Sequence, residues 1–130
     1  MFGVARAIAS LLGAFLVVSV CAHSESAVPA RAPTQPSGST LVTMTDFHYS
    51  PDTIAVGHGR VVLYLVNAGT TGHDITVLGL DGKLLARSRL VPPGATSTFV
   101  INKLSAGSYK VFCSQPGHEE LGMVGSLEVT

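Results

Sequence analysis

Cysteine is nearly absent from this 130-residue chain, in which only Cys21 and Cys113 occur. Cys21 lies in an N-terminal segment expected to be removed or lipidated, so the mature domain keeps one thiol with no partner for an internal disulfide. In an oxidising compartment such a leftover thiol is a liability, an intermolecular bridge or a ligand. Charge excess is absent as well. Residues 41–130 hold six Lys/Arg against seven Asp/Glu, a balance without the basic face that nucleic-acid binding requires. The same residues show neither a helical stripe nor an internal repeat, which leaves short β-rich runs as the dominant pattern.

The N-terminus, MFGVARAIASLLGAFLVVSVCAHSESA, carries Arg6 and then an uncharged apolar run over residues 7–20. That is the pattern of a secretory signal. Val20-Cys21-Ala22 supplies a small-residue cleavage site, so residues 1–22 are expected to be a signal peptide, with a weaker cut after residue 26. The run is short for a spanning helix, which needs about 20 residues. An uncleaved anchor and a lipidated Cys21 are the two other readings, the second disfavoured by Val20 where bacterial lipoprotein signals usually carry Gly, Ala or Ser. All three put the domain outside the cytoplasm (periplasmic, cell-surface or secreted), two of them with a membrane tether. Residues 23–40 include AVPARAPTQPSGST and read as a flexible, partly extended linker. The folded domain is then residues 41–130.

Within it, Val42 and Met44 alternate with Thr43 and Thr45, and residues 49–52, YSPD, form a turn. Residues 53–56 make a second strand. Residues 60–67, RVVLYLVN, are nearly continuous in apolar residues, as in a strand buried on both sides. Residues 73–78 resume the pattern, and Asp81-Gly82 marks a turn between apolar runs. Ala95, Ser97, Phe99 and Ile101 share one side of a strand. So do Tyr109, Val111 and Cys113, because strand side chains repeat every second residue. Residues 124–130 point Leu127 and Val129 inward. Seven to eight short strands in ninety residues predict an all-β, Greek-key sandwich with antiparallel pairing.

The stretch CSQPGHEELGM, residues 113–123, spaces Cys113, His118 and Met123 evenly at a strand end and in the loop that leads to the last strand. Pro116-Gly117 tightens that loop so that three donors can meet at one point. A fourth donor should come from a neighbouring strand end, where His73 follows the loop residues Gly69-Thr-Thr-Gly72. Two imidazoles, a thiolate and a thioether are the donor set of a mononuclear type 1, or blue, copper centre. A soft thiolate suits reduced copper, imidazole serves both oxidation states, and a weak axial thioether keeps the potential high.

The chain resembles a small cupredoxin of the plastocyanin, amicyanin and sulfocyanin group. The likeness spans nearly all of residues 41–130. It is carried by Asp46-Phe47 with Tyr49-Ser50-Pro51, by Asn67-x-Gly69-x-x-x-His73, by Pro93-Gly94 and by Gly107-x-Tyr109-x-Val111-x-Cys113. The most specific part is Cys113-x-x-Pro116-Gly117-His118-x-x-x-Gly122-Met123-x-Gly125-x-Leu127. The resemblance implies His73, Cys113 and His118 as equatorial ligands and Met123 as the axial one, with the edge of His118 as the port for electrons. It departs at Asp74, where many relatives carry Asn that ties the ligand loops together.

Each of these residues alone has a plainer explanation: a buried apolar Cys, a core Met, surface histidines. Their joint order favours metal. His23, His48 and His58 are assigned no role, Met44 reads as packing, and Glu119 and Glu120 read as a solvated turn pair. Zinc is the rival metal, but it usually completes its shell with a harder donor than a thioether. The expected function is one-electron transfer between extracytoplasmic redox proteins that dock briefly near His118 beside Pro116, Gly117, Leu121 and Gly122, the protein itself being a monomer. Copper storage or delivery is the alternative. Enzyme chemistry is disfavoured: Cys113 is flanked by Phe112 and Ser114, no His-x-His occurs, and Gly117 stands where a dinuclear copper site would need a second cysteine.

Overall fold

The computed structural model describes residues 33–130. The expected signal peptide with its cleavage sites, Cys21, and residues 23–32 of the linker lie outside the described residues. Nine strands follow in order: β1 (Thr40–Thr45), β2 (His48–Ser50), β3 (Thr53–Val56), β4 (Gly59–Asn67), β5 (Thr76–Leu78), β6 (Leu84–Arg87), β7 (Thr96–Leu104), β8 (Gly107–Phe112) and β9 (Val124–Val129).

The strands form two sheets, one ordered β2-β1-β4-β7 and the other β3-β9-β8-β5-β6. Alternation along each strand decides which side chains enter the space between them. Val42 and Met44 of β1, Val61, Leu63 and Leu65 of β4, Phe99 and Ile101 of β7, Tyr109 and Val111 of β8 and Leu127 and Val129 of β9 all join one buried cluster. Burial of each large aliphatic side chain contributes about 1.5–3 kcal/mol before chain entropy is subtracted. Strand β4 is buried on its outer side as well at Tyr64, whose hydroxyl donates to the carbonyl of Pro33 at 3.0 Å. The end of the linker therefore lies across the outside of this strand.

Two features differ from the sequence expectation. The sheets are mixed, because β1 runs parallel to β4 and β3 runs parallel to β9. Residue alternation reports faces, not the direction of neighbours, so it does not distinguish these pairings. The ninth strand is β2, which pairs antiparallel with β1 across the tight turn at Asp46-Phe47. Its three residues are too few to show a period. The strand expected over residues 73–78 is regular only over Thr76–Leu78. Before it, His73 bridges Val91, and Ile75 donates its N–H to the hydroxyl of Ser88 while its carbonyl accepts from the Ser88 N–H.

Candidate metal centre

Strand β8 delivers Cys113. Tyr109 and Val111 face the core, and Cys113, one pair of residues further on, keeps that orientation and is 1% exposed. Burial pushes its thiol above the ordinary range, while hydrogen bonding to the main chain at Asp74 and Gln115 pulls the other way by favouring the thiolate. The loop that follows is folded by its own backbone. His118 N–H donates to Gln115, Leu121 N–H to Gly117 and Gly122 N–H to Glu119. Met123 closes it: its N–H donates to His118 (3.0 Å), and its carbonyl accepts from Cys113 N–H (3.1 Å). The main chain of Met123 is thus held between the other two loop residues, and its side chain is fully buried.

His73 arrives from the β4–β5 loop, which Asn67 organises. The buried Asn67 amide donates to the carbonyls of Thr71 and Val91, both at 2.8 Å, and its Oδ1 accepts from Gly69 N–H at 2.9 Å. An unsatisfied buried amide would cost about 1–3 kcal/mol, so these three bonds fix the loop's path. The loop is fastened a second time by Asp46 at the β1–β2 turn. Its carboxylate accepts from the N–H and hydroxyl groups of both Thr70 and Thr71 and lies 3.0 Å from Nε2 of His73. These bonds, those from Thr70 foremost, hold the Asp46 carboxyl well below the usual carboxylate range.

The two imidazoles turn the same atom inward. Nδ1 of His73 lies 3.2 Å from Nδ1 of His118, and the Cys113 sulfur lies 3.5 Å from the latter. All three donor atoms fall within 4.8 Å of one another. Nitrogen and sulfur donors bound tetrahedrally to one first-row ion, at about 2.0–2.1 and 2.3 Å, sit about 3.3–3.6 Å apart. The two separations that His118 makes, to His73 and to Cys113, match those of donors sharing a single metal ion. His73 is wholly buried and His118 half-buried.

Three further residues complete the surroundings. Asp74 accepts from Ser114 N–H (2.9 Å), the Ser114 hydroxyl (2.6 Å), the Gln115 amide (2.9 Å) and the Thr76 hydroxyl (3.2 Å). It joins the loop of His73 to the loop of Cys113. Phe47 sits at φ 67° and sets its ring edge-on to His118, with centroids 4.9 Å apart. A non-glycine residue held at positive φ costs on the order of 1 kcal/mol or more, and such positions cluster at functional sites. Glu119 is not a freely solvated turn residue: it pairs with Lys110 at 2.6 Å, leaving Glu120 as the exposed carboxylate of the two.

The sequence reading picked out His73, Cys113 and His118, and the fold brings them together. It missed Asp46 and Phe47 as neighbours of the two imidazoles. Asp46-Phe47 stood out in the sequence only as part of the resembling first turn, and the small residues of the G-T-T-G loop that admit the carboxylate were an indirect signal of its contact with His73.

The cupredoxin-like domain family matches residues 9–124. The chain belongs to the cupredoxin family. A copper-resistant cuproprotein CopI from Rubrivivax gelatinosus is 32% identical over 106 residues, covering 68% of this chain and 64% of that protein. The chain thus spans under two thirds of that relative's length. Among solved structures, auracyanin from Roseiflexus castenholzii aligns with a TM-score of 0.62 at 18% identity, over 72% of this chain and 99% of its own. Auracyanin A, a "blue" copper protein from Chloroflexus aurantiacus, aligns at 0.57 and 20% identity, over 70% of this chain and 100% of its own. At these identities the likeness establishes the cupredoxin fold.

Proposed function

We propose that this cupredoxin is a type 1 copper electron carrier working outside the cytoplasm, with one mononuclear copper held by His73, Cys113, His118 and Met123. The observation that carries the reading is the convergence of two Nδ1 atoms and one buried sulfur within 4.8 Å. Copper, when bound, would supply a one-electron couple. The chain's own residues do the rest. Burial favours the protonated thiol of Cys113, and hydrogen bonding to the main chain at Asp74 and Gln115 offsets part of that preference. Asn67, Asp46 and Asp74 hold the two ligand loops in place before any ion arrives, so that little has to move when the charge changes. Met123, whose main chain is held between Cys113 and His118 and whose side chain is buried, would complete the donor set.

The half-buried His118 is the route by which electrons enter and leave. Around it Pro116, Gly117, Leu121 and Gly122 are exposed, Leu121 at 62%. A small apolar patch of this kind suits the brief contacts of redox partners. The proposed location is extracytoplasmic (periplasmic, cell-surface or secreted), in keeping with the signal expected from the N-terminal sequence.

A second reading is favoured by the similarity to a protein named for copper resistance. In it the same site holds copper for storage or delivery, with no redox partner. The copper-loaded protein separates the two. A carrier shows intense thiolate-to-copper absorption in the visible and reversible one-electron voltammetry. A colourless protein that passes copper to an acceptor supports delivery and removes the carrier.

A further inference from the structure

The carboxylate of Asp46 stands behind His73, on the side opposite the candidate metal. A wholly buried imidazole that turns Nδ1 toward a metal must place its Nε2–H on an acceptor, because a buried donor without one is costly. The acceptor here is Asp46 Oδ1 at 3.0 Å, with the Thr71 hydroxyl a longer 3.4 Å away. An ionised acceptor makes a hydrogen bond roughly twice as strong as a neutral one.

The contact is built into the loop. Gly69 leaves room for it: a β-carbon at this position would lie 2.6 Å from Asp46 Oδ1 and 2.9 Å from His73 Nε2. Any side chain there would force the carboxylate and the ring apart. The four hydrogen bonds from Thr70 and Thr71 hold the carboxylate in position from its other side. The arrangement joins two segments distant in sequence, the β1–β2 turn and the β4–β5 loop, and loop closure alone could use the threonine contacts without the histidine.

We infer that Asp46 is a positioning residue for the metal centre: it fixes His73 as the Nε2–H tautomer and, through its charge, makes that imidazole a stronger donor to the oxidised metal. A carboxylate behind a ligating histidine raises ligand basicity, and losing such a partner typically costs 10–100-fold in metal affinity. Because a more basic ligand favours Cu(II) over Cu(I), Asp46 lowers the potential that the His₂Cys-Met donor set alone would give. The inference deepens the copper reading and rests on it for the potential, but not for the tautomer.

The experiment uses the full chain and its Asp46→Asn, Asp46→Ala and Gly69→Ala variants. Nitrogen-15 NMR of the imidazoles is recorded on metal-free protein, and Cu(II) and Cu(I) affinities and the midpoint potential on loaded protein. In the native protein His73 is expected to carry a slowly exchanging proton on Nε2. Asp46→Ala should lose that protection and bind Cu(II) about 10–100-fold more weakly, with Cu(I) affinity less affected. The potential then rises by about 59 mV for each tenfold change in the affinity ratio. Asp46→Asn, which keeps an oxygen acceptor and removes only charge, should retain the proton and still raise the potential. Gly69→Ala should shift it the same way. An unchanged potential and affinity ratio in Asp46→Asn and Asp46→Ala overturn the inference, as does a native His73 protonated on Nδ1 instead. If the native chain bound no copper, the carrier reading would fall. The NMR comparison would still decide the tautomer: protection lost in Asp46→Ala supports the role of Asp46, and protection unchanged rejects it.

Discussion

Asp74 holds Ser114 at two points, accepting its N–H at 2.9 Å and its hydroxyl at 2.6 Å, and so joins the neighbour of one imidazole ligand to the neighbour of the thiol. This places a buried carboxylate within the framework of the centre. Asp74→Asn should raise the reduction potential, because removing an anion near the site destabilises Cu(II) relative to Cu(I). Stability should fall by no more than about 1–2 kcal/mol, since the Ser114 hydroxyl and the Gln115 amide can reverse their roles to meet a new donor. Voltammetry and urea unfolding check the two halves, and equal potentials would reject the electrostatic one.

Tyr49 is fully buried and donates its hydroxyl to the carbonyl of Asp74 at 2.7 Å. Burial, with smaller contributions from Cys113 and Asp74, pushes its phenol well above the ordinary value. The folded state thus keeps the proton where the unfolded chain releases it. The stability that depends on this group is whole below about pH 10 and declines as pH rises past that value. Tyr49→Phe should cost about 1–3 kcal/mol at neutral pH by leaving the Asp74 carbonyl unpaired. Its unfolding free energy should also decline less between about pH 9 and 11 than that of the native protein. Denaturant titrations of the metal-free proteins across that range measure both effects.

Met123→Leu conserves volume, so folding should be nearly unaffected, within about 1.5 kcal/mol. The copper and its colour should remain, with a higher potential, because a donor that favours the oxidised ion has been replaced by a hydrocarbon. Met123→Ala should instead lose about 2–5 kcal/mol of stability to the cavity it leaves. A Leu variant with the native potential would remove Met123 from the ligand set.

Leu121→Lys should slow reduction by a protein donor such as a cytochrome while leaving reduction by a small inorganic complex and the visible absorption unchanged. Since Glu119 is engaged by Lys110, Glu120→Gln should weaken the salt dependence of that protein reaction more than Glu119→Gln does. Stopped-flow kinetics at several ionic strengths test both statements. Loss of colour in Leu121→Lys would assign the residue to the fold rather than to docking.

Much of this was legible in the chain itself. Val42 with Met44, and Tyr109, Val111 and Cys113 in line, announce their faces by period two, and the even spacing of Cys113, His118 and Met123 announces a loop that gathers donors. What stayed hidden was pairing across distance. The parallel contact of β1 with β4 leaves no trace in alternation. The contact between Asp46 and His73 joins residues 27 positions apart and depends on a missing β-carbon at Gly69. Glu119 looked solvated because its partner, Lys110, lies on the far side of the turn.

The two imidazoles are not equivalent. Both give Nδ1 to the centre, but the far nitrogen of His73 is sealed by a carboxylate inside the protein, whereas that of His118 takes no protein hydrogen bond among the described residues. Under the proposed carrier function, His73 marks a closed back wall, and His118 marks the side from which a partner is expected to approach.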